Sequence, residues 1–460
     1  MFTAEELDAI IKAYDIRGLV DGQVTEDFAF ALGCAYAKFL EEEREPSTVV
    51  IGEDMRPSSP LLAGAFADGI TSQGFDVIRI GLASTDMLYF AAGKLNLPGA
   101  MFTASHNPAE YNGIKLCKSG ARPIGKESGL LRIRDLILNG VPMALRAPGV
   151  SQERPMLDEY VDFLLSLFDA ATTAGSRQLK VVIDAGNGMA GFTAPAVMAR
   201  LNVDLTSMYF ELDGTFPNHE ANPIEAANLV DLQKRVRAEK ADIGLAFDGD
   251  ADRCFLVDEN GDLVNPSTLT ALIAVRELKR KPGSSIIYNL ISSKAVREIV
   301  EENGGTAIRS RVGHSYIKKL MAESGAIFGG EHSGHFYFGD FWRADSGMLA
   351  ALFALSELAA TDLPLSRLLA PYNRYVASGE INTKVANTAA SLELVKSAFE
   401  ADEADEADFE IDDLDGYTVT GPDWWFNVRG SNTEPLLRLN VEASSQAVME
   451  RVRDQVLRLI

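Results

Sequence analysis

The sequence predicts an α/β protein of several domains with largely parallel sheets, and three observations carry that prediction. Short β-branched runs alternate with amphipathic helical stretches through most of the chain. A loose internal repeat has a small, apolar strand delivering a polar loop at three places. The length of 460 residues corresponds to about three domains, or four small ones.

The elements follow in order. Val49-Val50-Ile51-Gly52 reads as a strand, Leu61 to Gln73 as a helix, and Val77-Ile78-Arg79-Ile80 as the next strand. Val181-Val182-Ile183-Asp184 precedes a helical stretch after Gly191, and Ile286-Ile287-Tyr288 precedes one from Lys294 to Asn303. The repeat sets Pro98 to Phe102 ahead of Thr103–Pro108, Ile243 to Phe247 ahead of Asp248–Arg253, and Gly325 to Phe328 ahead of Gly329–His335. Parallel sheets bind ligands in loops at the carboxyl ends of their strands, so three related α/β domains facing one cleft are expected. Turn residues from Pro142 to Pro155 mark a first boundary, Asp258 to Gly261 a second, and the pattern changes again beyond Pro364. The expected segments are 1–148, 149–258, 259–366 and 367–460. The acidic run Ala401–Asp408 reads as a solvated helix or loop.

A net charge of −23 argues against general binding of nucleic acid or anionic membranes. Any anion site in such a chain must be a local island of Arg, Lys and backbone N–H groups. Cys34, Cys117 and Cys254 are too few and too scattered for a disulfide framework or a cysteine zinc site, and read as small buried hydrophobes. Glu5 and Glu6 stand where a signal peptide would be basic. No apolar run approaches the ~20 residues of a membrane span. A cytoplasmic protein is expected.

The densest chemistry is Asp248-Gly249-Asp250-Ala251-Asp252-Arg253, between two apparent strands. Carboxylates about 4 Å apart repel by ~4 kcal/mol per pair at a protein-like dielectric. A hard divalent ion such as Mg²⁺ removes that cost and keeps positions open for water or phosphate. An EF-hand fails because Arg253 stands where the loop needs glycine. The alternative is a solvated acidic turn. Arg253 itself suits a phosphate beside the ion.

Three further loops carry polar groups. Ser105, beside His106 and closed by Asn107-Pro108, can serve as a nucleophile or phosphate carrier, or can be a plain turn. Lys115 follows closely and is a candidate acid/base, with a surface lysine as the alternative. Glu331, Ser333 and His335 offer the paired acceptors and donors that sugar hydroxyls need, whereas the i,i+3 spacing of His332 and His335 is poor for metal binding. Arg429, Ser431, Asn432 and Thr433 make a donor-rich turn suited to an anion.

Taken together, Thr103–Pro108, Asp248–Arg253, Gly330–His335 and Arg429–Pro435 resemble, in content and order, the α-D-phosphohexomutases. The resemblance is closest to the phosphomannomutase/phosphoglucomutase branch and runs from Lys12-Ala13-Tyr14-Asp15-Ile16-Arg17-Gly18 to the last loop. It implies a heart-shaped, four-domain α/β architecture, with three related α/β domains and a smaller C-terminal α+β domain. It implies Ser105 as the phosphoserine and Mg²⁺ held by Asp248, Asp250, Asp252 and a phosphoserine oxygen. Glu331, Ser333 and His335 would hold the sugar, and Arg429, Ser431, Asn432 and Thr433 its phosphate. Tyr14, Arg17, Lys115, His106, Arg253 and His314 would complete the cleft.

The function so implied is interconversion of hexose 1- and 6-phosphates through a phosphoserine enzyme and a hexose 1,6-bisphosphate, mannose favoured. The expected partner is a small phosphosugar, with no nucleic acid and no membrane, on a monomer or weak homodimer. The alternatives are a phosphoglucosamine mutase, a metal-dependent sugar phosphatase using the same serine, and a non-catalytic sugar-phosphate sensor.

Overall fold

The computed structural model describes residues 2–142, 144, 146–168, 177–403, 409–430 and 436–460, without the side chains of His314, Ser315 and 400–403. The strands form four sheets. The first holds β1 (Ile16–Leu19), β2 (Thr48–Glu53), β3 (Asp76–Leu82), β4 (Gly99–Phe102), β5 (Tyr111–Lys118), β6 (Arg122–Pro123) and β7 (Ser151–Glu153). The second holds β8 (Leu179–Asp184), β9 (Val203–Met208), β10 (Ile243–Phe247), β11 (Cys254–Val257) and β12 (Leu263–Val264). The third holds β13 (Ser285–Asn289), β14 (Thr306–Ser310), β15 (Phe328–Gly330), β16 (Phe336–Phe338) and β17 (Ala344–Asp345).

These three sheets share one plan. Parallel strands run together (β4-β2-β3-β7, then β10-β8-β9, then β15-β13-β14), and β4, β10 and β15 each pair antiparallel with the next strand in the chain. The three polar loops are therefore hairpin connections at the carboxyl ends of parallel strands. The sheets are mixed rather than largely parallel, because each site loop returns directly as a strand instead of crossing over through a helix.

The strands and helices expected from periodicity are present, with two adjustments. The third repeat strand begins at Phe328 rather than Gly325, because Gly325 ends the helix His314–Ser324 at a φ of 68°. Two strands run past the expected segment limits: β7 pairs with β3 beyond residue 148, and β12 pairs with β11 beyond 258. The fourth sheet, β18 (Val376–Lys384), β19 (Glu410–Asp412), β20 (Tyr417–Thr420), β21 (Trp424–Gly430) and β22 (Leu436–Ala443), is wholly antiparallel in the order β18-β22-β21-β20-β19. The acidic run expected at 401–408 lies outside what is described beyond the backbone of its first residues.

Packing decides which parts move together. One continuous apolar core joins Met101 and Cys117 of the first sheet, Ile183 and Phe247 of the second, and Leu272 and Phe328 beside the third. The fourth sheet has a separate core around Phe399, Tyr417, Phe426 and Val441. It meets the rest through a small cluster of Leu290, Ile291 and Trp425. All three cysteines are free and buried. No helix among the described residues is long and apolar enough to cross a membrane.

Candidate active site

The three hairpin loops converge. Ser105 is 3 % exposed, and its Oγ donates to Asp248 Oδ2 at 2.7 Å. His106 Nδ1 lies 3.1 Å from Ser105 Oγ, and Arg253 Nη2 donates to that hydroxyl oxygen at 3.3 Å. Ser105 has a φ of 51°, a conformation that costs a non-glycine residue about 1–3 kcal/mol and must be held by its surroundings. Gly249 allows the closest approach: a Cβ there would fall 2.3 Å from the Ser105 carbonyl oxygen. Arg17 braces the loop from the other side, donating from Nη1 to Asn107 Oδ1 (2.7 Å) and Ala104 O (3.3 Å) and from Nε to Asp15 (2.7 Å).

Asp248, Asp250 and Asp252 each offer an oxygen within 4.8 Å of the others, and all three are buried. Lys115 Nζ donates to Oδ2 of Asp250 (2.7 Å) and of Asp252 (2.6 Å). Arg253 Nε donates to Asp248 Oδ2 at 2.8 Å. Asp250 Oδ1 is buried and accepts no hydrogen bond among the described residues. Burial, opposed by Arg253 and reinforced by the Asp252 and Asp250 charges, pushes the Asp248 carboxyl up to about 7. Burial pulls the Lys115 ammonium down, but the Asp250 and Asp252 carboxylates outweigh it and hold it well above its ordinary value. Burial and the Arg253 and Arg17 guanidiniums keep His106 well below its own, so its imidazole is neutral. Three hard oxygen ligands, one of them a buried oxygen with nothing to accept from, fit a divalent cation. A trio this crowded carries its full charge only beside one.

The third loop closes on the second. Cys254 N donates to Gly334 O at 3.2 Å, and His335 Nε2 lies 3.4 Å from Asp252 Oδ1. Burial pulls the His335 imidazole down, yet Asp252 and Asp345 hold it above its ordinary value. Ser333 Oγ lies 3.0 Å from His335 Nδ1. Glu331 is buried and accepts from Tyr337 Oη (2.5 Å) and Gly313 N (3.0 Å). Tyr14 packs edge-on against Tyr316 with ring centroids 6.2 Å apart, which places it at the cleft edge between the first and third sheets.

Arg429 stands on β21, where Nη2 donates to Glu380 Oε2 of β18 at 2.8 Å. Its Nε is buried with no hydrogen-bond partner among the described residues. Burial pulls the His332 imidazole down, with Glu380 opposing and Arg429 adding to it, and His332 lines one pocket with Ala377 and Gly379 of β18 and Trp425 of β21. Ser431, Asn432 and Thr433 lie outside the described residues, as does the His314 side chain.

Arg56 was not found by sequence reasoning. Its guanidinium is fully buried and donates to four backbone carbonyls of the serine loop and its exit: Ser105 (3.0 Å), Asn107 (2.6 Å), Pro108 (2.8 Å) and Tyr111 (2.9 Å). The available signal was Asp54-Met55-Arg56-Pro57, a charged pair directly after a parallel strand. Glu380, Thr85 and Asp345 were missed as well.

Comparison with known proteins identifies the family. Residues 8–140, 158–261 and 265–375 match α/β/α domains I, II and III of the phosphoglucomutase/phosphomannomutase family, and 380–459 match its C-terminal domain. The chain belongs to this family of phosphohexomutases, which are isomerases. It is 39% identical over 459 residues to a phosphomannomutase of Salmonella typhimurium, covering 97% of each chain. A protein named phosphohexose mutases from Xanthomonas campestris is 37% identical over 446 residues, covering 96% of this chain and 97% of that one. Among solved structures, a phosphoglucomutase/phosphomannomutase family protein from Burkholderia thailandensis superposes with a TM-score of 0.89 at 32% identity, covering 100% of this chain and 97% of that one.

Proposed function

We propose that this enzyme interconverts hexose 1-phosphate and hexose 6-phosphate, with mannose phosphate favoured, through a phosphorylated Ser105 and a hexose 1,6-bisphosphate. The observation that carries the reading is the Ser105 hydroxyl in contact with Asp248 and Arg253 at the mouth of the aspartate trio. Asp248, Asp250 and Asp252 would hold Mg²⁺, which when bound supplies positive charge to a transferring phosphoryl group. Arg253 supplies the same sign at the distance of a direct contact with Oγ. Phosphoryl transfer relies mainly on such positioning and electrostatics. In the forward half-reaction the bond from phosphorus to Ser105 Oγ breaks as the sugar hydroxyl oxygen bonds to phosphorus. The hydroxyl proton leaves the sugar and a proton returns to Ser105 Oγ. Lys115, an ammonium held between Asp250 and Asp252, and His106, an imidazole touching Oγ, are the two candidates to donate and accept.

Turnover then needs a second phosphate site far from Ser105, because the bisphosphate must reverse and present its other end. Arg429, with Ser431, Asn432 and Thr433, is assigned that role, and Glu331, Ser333 and His335 hold sugar hydroxyls between the two. The names of the relatives support mannose phosphate as the substrate. The experiment is incubation with mannose 1-phosphate and a trace of hexose bisphosphate. Mannose 6-phosphate is expected, and stoichiometric free phosphate would replace the mutase with a phosphatase. Ser105→Ala is expected to abolish turnover. Initial rates on mannose, glucose and glucosamine 1-phosphates decide the sugar.

A further inference from the structure

The aspartate loop is gripped by groups that the roles above leave unused. Thr85, fully buried, donates its backbone N–H to Asp250 O at 2.9 Å and its hydroxyl to Asp250 Oδ2 at 2.6 Å. It is the first residue of the helix Thr85–Leu95, whose opening N–H groups have no partner within the helix. The next residue, Asp86, is also fully buried and accepts hydroxyl hydrogen bonds from Ser84, from Ser346 (2.5 Å) and from Tyr160 (2.7 Å). Ser84 and Ser346 are themselves helix caps, accepting from Met87 N and Leu349 N. The helix that Ser346 opens, Gly347–Ala359, abuts the same loop: a Cβ on Gly347 would fall 2.7 Å from Arg253 O and 2.8 Å from Ala251 O. One carboxylate therefore ties together the first turns of two helices that press on the aspartate loop from the first and third segments.

The consequence falls on Asp250. Thr85 and Lys115 together occupy Oδ2, and Oδ1 is left buried and unpartnered among the described residues. We propose that Thr85 is a positioning residue for Asp250. By filling Oδ2 it turns Oδ1 toward the divalent ion, and Asp86 holds Thr85 in register. This rests on the metal reading of the loop. Groups that orient metal ligands typically change metal affinity by about 10–100-fold when removed.

Isothermal titration of the full-length protein with Mg²⁺, without sugar, separates the possibilities when paired with thermal unfolding in chelator. Thr85→Val keeps the shape and backbone N–H but loses the hydroxyl, and is expected to weaken Mg²⁺ by about 10–100-fold. Thr85→Ser restores the hydroxyl and is expected to bind like the unmodified protein. A purely structural Thr85 would lower the unfolding temperature in chelator without changing Mg²⁺ affinity; that result, or a folded Thr85→Val with unchanged affinity, overturns the proposal. Tyr160→Phe removes one donor from Asp86 far from the loop, and serves if Thr85→Val does not fold: severalfold weaker Mg²⁺ binding is expected, and unchanged binding refutes the role of Asp86. If the unmodified protein binds no Mg²⁺ in the same titration, it is the metal reading that falls.

Discussion

Replacing Arg56 with methionine is expected to cost about 3–5 kcal/mol of stability, the range for breaking a buried ion pair by removing one partner. The Arg56 side chain is 0% exposed, its Nε lies 3.3 Å from Asp54 Oδ2, and the fork spans four backbone carbonyls. Without it, Asp54 remains as a buried charge with the hydroxyls of Ser59 and Thr103 and the backbone N–H of residue 56 to satisfy it. The four carbonyls also lose charge-assisted bonds worth about 1.5–3 kcal/mol net each, so the ion-pair range is a floor rather than a sum. Arg56→Lys keeps the charge, but one ammonium cannot reproduce a fork over four acceptors, and about half the loss is expected. Adding Asp54→Asn to Arg56→Met removes the stranded charge and should recover part of the stability. Denaturant unfolding of the unmodified protein, Arg56→Met, Asp54→Asn and the double variant gives the coupling energy directly. Turnover should fall by about 100-fold even where Arg56→Lys stays folded, because Ser105 loses the anchor of its left-handed turn. A folded Arg56→Met within about 1 kcal/mol of the unmodified protein would refute the reasoning, since such a loss lies far below the buried-pair range.

Three other expectations follow from the same geometry. Ser105→Gly and Ser105→Ala both remove the hydroxyl, yet the glycine variant should be more stable by about 1 kcal/mol because φ is positive there; thermal denaturation giving the reverse order would remove backbone strain from the account. Burial pushes the Asp86 carboxyl up to about 6, against the hydroxyl donors of Ser346, Ser84 and Tyr160. The folded carboxyl thus holds its proton more tightly than the unfolded one, so this stability is fully present below the unfolded value of 3.8 and is lost as pH rises through 6. The loss amounts to about 3 kcal/mol at 1.36 kcal/mol per unit, and Asp86→Asn should abolish it; unfolding curves of the two proteins that stay parallel between about pH 4 and pH 7 would contradict this. Arg429→Gln should raise KM for the phosphosugar by about tenfold or more, the value of one charge-assisted contact, with a smaller change in kcat. An unchanged KM would take Arg429 out of the phosphate site.

The parts of the site legible in the sequence are those in which several chemical groups fall within six or seven consecutive residues. Asp248–Arg253 is the clearest case, because three carboxylates in one short loop call for a cation once the loop is buried, as it is here. Arg56, Thr85 and Asp86 escaped for the opposite reason. Each is a lone polar residue in an ordinary context: Ser84-Thr85-Asp86 is what any helix start looks like, and Asp54-Arg56-Pro57 reads as a turn. Their partners are 49 residues away for Arg56 and Ser105, and 165 for Thr85 and Asp250. Strand direction was equally hidden. Cys254–Val257 is visibly a strand, but its alternation is the same whether it runs parallel or antiparallel to β10. Only the shortness of the 248–253 loop, too brief for a crossover, marks it as a hairpin.

Charge balance ties the loops to one another. The chain carries a net charge of −23, yet the cleft must admit an anion. Buried around Ser105 are the carboxylates Asp15, Asp248, Asp250, Asp252 and Glu331, against the permanent cations Arg17, Lys115 and Arg253. The neighbouring pairs Asp54–Arg56 and Asp345–Lys318 neutralise themselves. Carboxylates are therefore in excess there, and a bound divalent cation would offset them. Lys115 meets Asp250 and Asp252 on their Oδ2 sides, so an ion entering on the Oδ1 side adds to it instead of displacing it. With the surplus cancelled, a phosphoryl group on Ser105 or on a sugar meets Arg253, Lys115 and His335 with no excess of carboxylate charge behind them. Ion and phosphate would then favour each other's binding, and by linkage each would strengthen the other by the same factor. On the proposed function an acidic protein would bind phosphate through acidic residues: the aspartates would recruit the cation, and the cation, with the buried arginines, would recruit the anion.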